Sequence, residues 1–361
     1  SMPKSSYNSS SNIPSSTHNS DAWHTREIKG NGVKIGIIDG GFVGLSELMG
    51  TELPSSVNTL CFYAPFQSTL NSFYCEYSSA HGTAVLESTF DIAPAATYYI
   101  SNPKTQIETL EAVEWMVQND VEIINHSAEF HPYGPGDGTS PIPHDIINIV
   151  DYAVQNGITW VNSSGNSADG IHWFGEWSDN DNDGFLNFSS TDELNCANYN
   201  SGDSVNAYLR WQDNWGVADK DFDLQLIKLS TSGLQPIAES INYQQGLPGD
   251  YPYELITHSI SDSGLYCLAI KKYSANTNPA WFQIFTWHTG DLDYHQAEKS
   301  IQSPAEGANP GMIVVGAANW SETSTIESFS SRGPTIDGRI KPDIVGIDSV
   351  YSHTYGGEFS G

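Results

Sequence analysis

From Val33 to Asn162 the chain alternates short apolar runs with longer stretches in which apolar residues recur every three or four positions. The first run, Val33-Lys34-Ile35-Gly36-Ile37-Ile38, closes on Asp39-Gly40-Gly41. Others lie at 96–100, 121–125 and 158–162. Short continuous apolar runs bounded by turn residues predict strands buried on both faces of a parallel sheet. Helical spacing falls between them, in the stretch starting at His81, at 107–119 (Leu110, Val113, Met116, Val117) and at 146–155, the last stopped by Asn156-Gly157. This rhythm of strand and helix predicts a parallel α/β sheet with right-handed crossovers.

Near residue 171 the period changes from helical to alternating. The stretches 204–211, 221–227, 264–270 and 282–287 place apolar side chains at every second position. Many short strands of this kind within about 130 residues predict an antiparallel β-sandwich. At Met312-Ile313-Val314-Val315 the α/β pattern returns, so the sandwich is read as an insertion. The expected fold class is α/β, a three-layer parallel-sheet domain with an inserted antiparallel β-sandwich. The expected division is a flexible Ser/Asn-rich lead-in at 1–21, a first part of the α/β domain at 22–170, the sandwich at 171–300 and a second α/β part at 301–361. Residues 21–23 begin a short helical turn, and 42–80, with scattered aromatics, read as irregular surface structure.

Charge narrows the partners. Lys and Arg number 14 against 43 Asp and Glu, for a net charge of −29. Such a surface repels nucleic acid and anionic lipid, and no apolar run is long enough to cross a membrane. Cys61 and Cys75 lie in one region, Cys196 and Cys267 in another, and none forms a zinc pattern. The spacing predicts disulfides Cys61–Cys75 and Cys196–Cys267, as in a secreted protein; the plainer alternative is four free buried thiols. Ser1-Met2 has the look of a cloning scar, so the native start is not read from it.

Four stretches then resemble, in order, the motifs of the subtilisin-like serine proteases: Ile37-Ile38-Asp39-Gly40-Gly41, His81-Gly82-Thr83-Ala84-Val85, Ser164-Gly165-Asn166, and Phe329-Ser330-Ser331-Arg332-Gly333-Pro334 with Gly338-Arg339-Ile340-Lys341-Pro342-Asp343. The resemblance implies a secreted endopeptidase that hydrolyses polypeptides. His81 would take the proton of a serine hydroxyl, Asp39 would hold the imidazole in the useful tautomer, and Asn166 would donate to the oxyanion. It also implies a substrate laid as an added strand beside Ser127, Ala128 and Glu129 on one side and Ser163, Ser164 and Gly165 on the other. Glu129 stands where the family usually has glycine, which narrows the cleft. Gly40 and Ala84 also depart from common family residues without touching a triad role. Glu358-Phe359-Ser360-Gly361 matches the lead-in to the family's nucleophile, and the expected serine falls two positions past Gly361. The 361-residue chain is therefore expected to be inactive by itself, with an apolar trench where the family's nucleophile helix packs. Its possible partners then include a C-terminal fragment of the same protein.

The alternative is a non-catalytic module that binds peptide or carbohydrate; the triad-type residues speak against it. An unrelated α/β hydrolase lacks the required Gly-x-Ser-x-Gly elbow. Within the sandwich, Asp179-Asn180-Asp181-Asn182-Asp183-Gly184 resembles a calcium loop, with Asp179, Asp181 and Asp183 as ligands and Asp192 or Glu193 in place of the usual distal Glu. The plainer reading there is a solvated acidic turn, and for the sandwich as a whole a stabilising or spacing domain.

Overall fold

The computed structural model describes residues 17–231, 233–287 and 290–361, so most of the lead-in at 1–21 lies outside the described residues. A helical turn at Ser20–His24 precedes the first strand. The α/β body contains β1 (Lys34–Ile38), β2 (Asn58–Ala64), β3 (Gln67–Thr69), β4 (Thr97–Ser101), β5 (Ile123–His126) and β6 (Thr159–Ser163). Its main helices are α1 (His81–Ile92), α2 (Gln106–Gln118) and α3 (Ile146–Gln155). The chain then builds β7 (His172–Gly175), β8 (Asn195–Tyr199), β9 (Ser204–Trp211), β10 (Asp221–Ser230) and β11 (Gly233–Ser240). It continues through β12 (Tyr253–Ser259), β13 (Gly264–Ser274) and β14 (Phe282–Trp287). It returns to the body with β15 (Met312–Asn319), β16 (Ile344–Asp348) and a small hairpin of β17 (Val350–Ser352) and β18 (Gly357–Phe359).

The body is one eight-stranded sheet in the order β16-β15-β6-β5-β1-β4-β2-β3. All neighbours are parallel except the β2–β3 pair. The helices that end the predicted runs are capped as their sequences require: Thr105 Oγ1 accepts from Glu108 N at 3.2 Å and Asp145 Oδ1 from Ile147 N at 3.0 Å. The inserted strands form two four-stranded sheets, β11-β10-β13-β8 and β12-β9-β14-β7. Trp211, Phe222, Leu224, Phe282 and Ile284 close the core between them, each fully buried. The expected fold class holds, with both expected disulfides in place: Cys61–Cys75 and the cross-strand Cys196–Cys267.

One expectation fails. Part of 42–80 is not irregular surface: β2 lies parallel to β4 as a strand of the main sheet, and Leu60, Cys61 and Phe62 are buried. The run Leu60-Cys61-Phe62 is short, and its partner β4 lies far along the sequence.

Burial alternates along the strands near the middle of the sheet. On one face Ile124, Trp160, Met312 and Val314 are buried in the cluster that includes α2 and α3 residues Ala112, Met116 and Ile149. On the other, Ile123, Val161 and Val315 are half-buried and line an open trench of about 690 Å³, joined by Ile35, Val85 and Ile92. The apolar trench expected from the resemblance is present.

Candidate active site

Along the sheet the chain leaves β1 in one direction and β5 in the other, so the crevice where strand order diverges lies beyond their C-terminal ends, where open α/β sheets place their sites. Asp39 follows β1 directly and is buried. Its Oδ1 accepts from Gly40 N at 2.7 Å, and its Oδ2 meets His81 Nδ1 at 2.7 Å. His81 opens α1, and its N–H donates to Ser79 Oγ at 3.0 Å. Gly82 lets this helix approach the aspartate turn: a Cβ there would lie 2.8 Å from Asp39 Cβ and 2.7 Å from the Gly41 carbonyl oxygen.

Burial pulls the His81 pKa down, but the hydrogen bond and negative charge of Asp39 outweigh it and hold the imidazole above its ordinary value. With Nδ1 engaged by Asp39, Nε2 is the nitrogen left for proton transfer. The His81 ring packs edge-on against Phe359, with centroids 5.3 Å apart. Two residues later, a Cβ built on Gly361 would stand 3.2 Å from Asn166 Nδ2. Phe359 and Gly361 thus arrive between the base and the amide predicted to serve the oxyanion.

A residue that sequence reasoning missed brings them there. Glu87, one and a half turns after His81 on α1, is buried and accepts from Ser352 Oγ at 2.8 Å and His353 N at 2.7 Å. It also accepts from Thr354 N and Oγ1 at 3.2 and 2.9 Å. The carboxylate fixes the hairpin turn that carries Phe359 to the imidazole. The only signal in the sequence was an acidic residue within the apolar opening of the helix.

The predicted substrate-facing segments leave neighbouring strands. In register, His126 of β5 pairs with Asn162 of β6, and the segments 127–129 and 163–165 follow these two residues. Asn162 Nδ2 donates to the Ala128 carbonyl at 3.3 Å, and the Gly165 carbonyl accepts from Ser331 N at 2.8 Å, so both carbonyls already have protein partners. The Ser164 side chain is buried, its N–H bonded to Val315 O at 2.8 Å. Ser127, Ser163, Ser164, Gly165 and Asn166 all border the trench. Glu129 turns its side chain across the gap: Trp287 Nε1 donates to Oε1 and Asn166 N to Oε2, both at 3.3 Å.

The sandwich is bolted to this side. Arg210 on β9, fully buried, pairs with Glu306 through Nη2–Oε2 at 2.8 Å and Nη1–Oε1 at 3.1 Å. It also donates to the carbonyls of Pro132 and Gly134 at 3.3 and 3.0 Å. In the distant acidic loop, oxygens of Asp179, Asp181 and Asp183 lie within 4.8 Å of one another. Glu193 has its pKa raised by burial and by the charges of Asp183, Asp181 and Asp179. Asp192 turns elsewhere, accepting from Tyr294 Oη at 2.9 Å.

This architecture defines a subtilisin-like fold, and the model of the subtilase family matches residues 230–352. Over 96% of this chain and 83% of the other, the structure is similar to the CspB protease of Clostridium perfringens, with a TM-score of 0.63 and 13% identity. A lanthipeptide protease (17% identity, 44% of this chain and 47% of that one, TM-score 0.34) shows lower similarity. The epidermin leader peptide processing protease EpiP of Staphylococcus aureus is comparable (17% identity, 47% and 45%, TM-score 0.31). No curated protein matches the sequence. The resemblance read from the motifs is supported at the level of fold: part of the chain matches the subtilase model, and the whole is similar in structure to a subtilisin-like protease.

Proposed function

We propose that this is the catalytic region of a secreted serine endopeptidase in which Asp39 and His81 form the base of an Asp/His/Ser triad. The observation that carries the reading is the 2.7 Å contact of Asp39 Oδ2 with His81 Nδ1. Asp39 holds the ring so that Nε2 takes the proton of the attacking hydroxyl, and then stabilises the imidazolium. Asn166 Nδ2 donates to the oxyanion of the tetrahedral intermediate. Polypeptide substrate lies between Ser127–Ala128–Glu129 and Ser163–Ser164–Gly165. Two disulfides and the acidic surface support an extracellular setting. Among the described residues no helix is long and apolar enough to cross a membrane.

The nucleophile is not assigned within the 361 residues. The experiment is fluorophosphonate labelling with mass spectrometry. The 361-residue chain is expected to stay unlabelled. Labelling of the 361-residue chain by itself would overturn the assignment.

A calcium ion at the acidic loop is the second proposal. Asp179 Oδ1 is buried with no hydrogen-bond partner, and an all-oxygen set suits a hard cation. Asp179, Asp181, Asp183 and Glu193 would hold it, and its role there is to offset their repulsion and fix the loop within a sandwich that acts as a stabilising domain.

A further inference from the structure

Glu129 occupies a place where backbone alone would leave a slot. β5 and β6 run in register up to His126 and Asn162, and the segments after them border the crevice below Asn166. The Glu129 carboxylate bridges that crevice. A Cβ on Gly165 would lie 2.4 Å from Glu129 Oε2, so only glycine, here at φ +98°, tolerates the carboxylate so close. The same oxygen accepts from the main-chain N–H of Asn166, the residue whose side chain serves the oxyanion. Its other oxygen accepts from the indole of Trp287. Trp287 stands edge-on to His131, centroids 4.0 Å apart, and His131 stacks on Tyr208 at 4.9 Å. Glu129 itself is half-buried.

A carboxylate beside an oxyanion donor is unfavourable for peptide hydrolysis, because like charge opposes the negative charge growing on the carbonyl oxygen. A substrate cation set against that carboxylate reverses the effect. The surroundings suit one: a carboxylate takes a guanidinium or ammonium through charge-assisted hydrogen bonds. The net charge of −29 draws basic peptides toward the cleft from a distance.

We propose that Glu129 is the specificity residue of the cleft, and that it selects polypeptides presenting an Arg or Lys side chain at the residue next to Asn166. This rests on the peptide-cleft reading given above.

The test uses the full 361-residue chain and fluorescein-labelled unstructured octapeptides that differ at one central position: Arg, Lys, Leu, Gln or Glu. Affinity is read by anisotropy at physiological salt. The Arg and Lys peptides are expected to bind roughly ten-fold tighter than the Leu peptide, about the effect of one charge-assisted hydrogen bond. In Glu129→Gln the Arg-to-Leu ratio should fall close to one. Trp287 emission should shift with the Arg peptide in the wild type only. A peptide with its Arg moved to the terminus should lose the advantage, which separates this site from general attraction to an acidic protein. Equal binding of all peptides, an unchanged ratio in Glu129→Gln, or tighter Leu-peptide binding in Glu129→Gly (a carboxylate that merely blocks the slot) would each overturn the proposal while leaving the cleft reading intact. If no peptide binds, the cleft reading itself fails and this inference with it.

Discussion

The two inserted sheets and the eight-stranded sheet bury their apolar residues in different ways. In the insert each sheet covers the other, and Trp211, Phe222 and Leu224 are fully buried in the core between them. In the body only one face is fully roofed, by α2 and α3, and the opposite face is left half-open along the trench. The body carries continuous apolar runs and the insert alternating ones, yet neither pattern says which faces are finished. The site grows at the rim of the unfinished one. The insert supplies a wall and a clamp to that rim, through Trp287 and Arg210, and none of the triad-type residues.

The sharpest way to break the comparison is at the seam. Replacing Arg210 by Ala leaves Glu306 buried without its cation, and breaking a buried pair in this way costs about 3–5 kcal/mol. Urea unfolding should show that loss, and a second, earlier transition would mean the two regions have uncoupled. The double change Arg210→Met with Glu306→Leu should recover most of it. A cost under about 1 kcal/mol for Arg210→Ala would show that the seam does not hold the regions together.

The closed and open faces should also differ under truncation. Leu224→Ala, in the shut core, is expected to cost about 2–5 kcal/mol. Val315→Ala, on the trench face, removes less buried surface and should cost under about 1 kcal/mol. Equal losses would mean the trench face is covered in solution by something that packs like a core.

Much of this was legible in the chain because the signals were local. The strand before Asp39, the helix opening at His81 and the alternation at 204–211 and 282–287 each depend on neighbours within a few residues, and each is found where expected. The site residues Asp39, His81 and Asn166 were named from their motifs. Long-range choices were hidden. Strand β2 depends on pairing with β4, Glu87 acts on residues 265 to 267 positions away, and Trp287 reaches Glu129 across 158. Arg210 is paired with Glu306, 96 residues on.

A smaller effect is expected at the acidic loop. If calcium holds Asp179, Asp181, Asp183 and Glu193, chelation should lower the melting temperature by roughly 3–8 °C, as removing a ligand worth about 1–3 kcal/mol does. Asp181→Asn should abolish the response. An identical melt with and without chelator, in protein that contains no calcium, would assign the loop to solvent.

The finest test concerns one proton. Burial alone would push the His81 pKa below its ordinary value, and the shift is upward only because Asp39 contributes a hydrogen bond and a charge. Asp39→Asn keeps the packing and removes the charge. The His81 titration, followed by NMR of its Cε1 proton, should therefore move from above the ordinary histidine value to below it. The sign also sets how the pair affects folding. A raised imidazole pKa means the folded state prefers the protonated form, so the stabilisation is complete below the unfolded histidine value, near 6.5, and is lost as pH rises through the folded value. The wild type should lose more stability than Asp39→Asn between pH 6 and pH 9. Under the proposed function the same shift delays the neutral base, so peptide hydrolysis should switch on above the pH at which free histidine deprotonates. A downward shift in the wild type would show that Asp39 does not engage Nδ1 in solution, and the triad geometry would have to be abandoned.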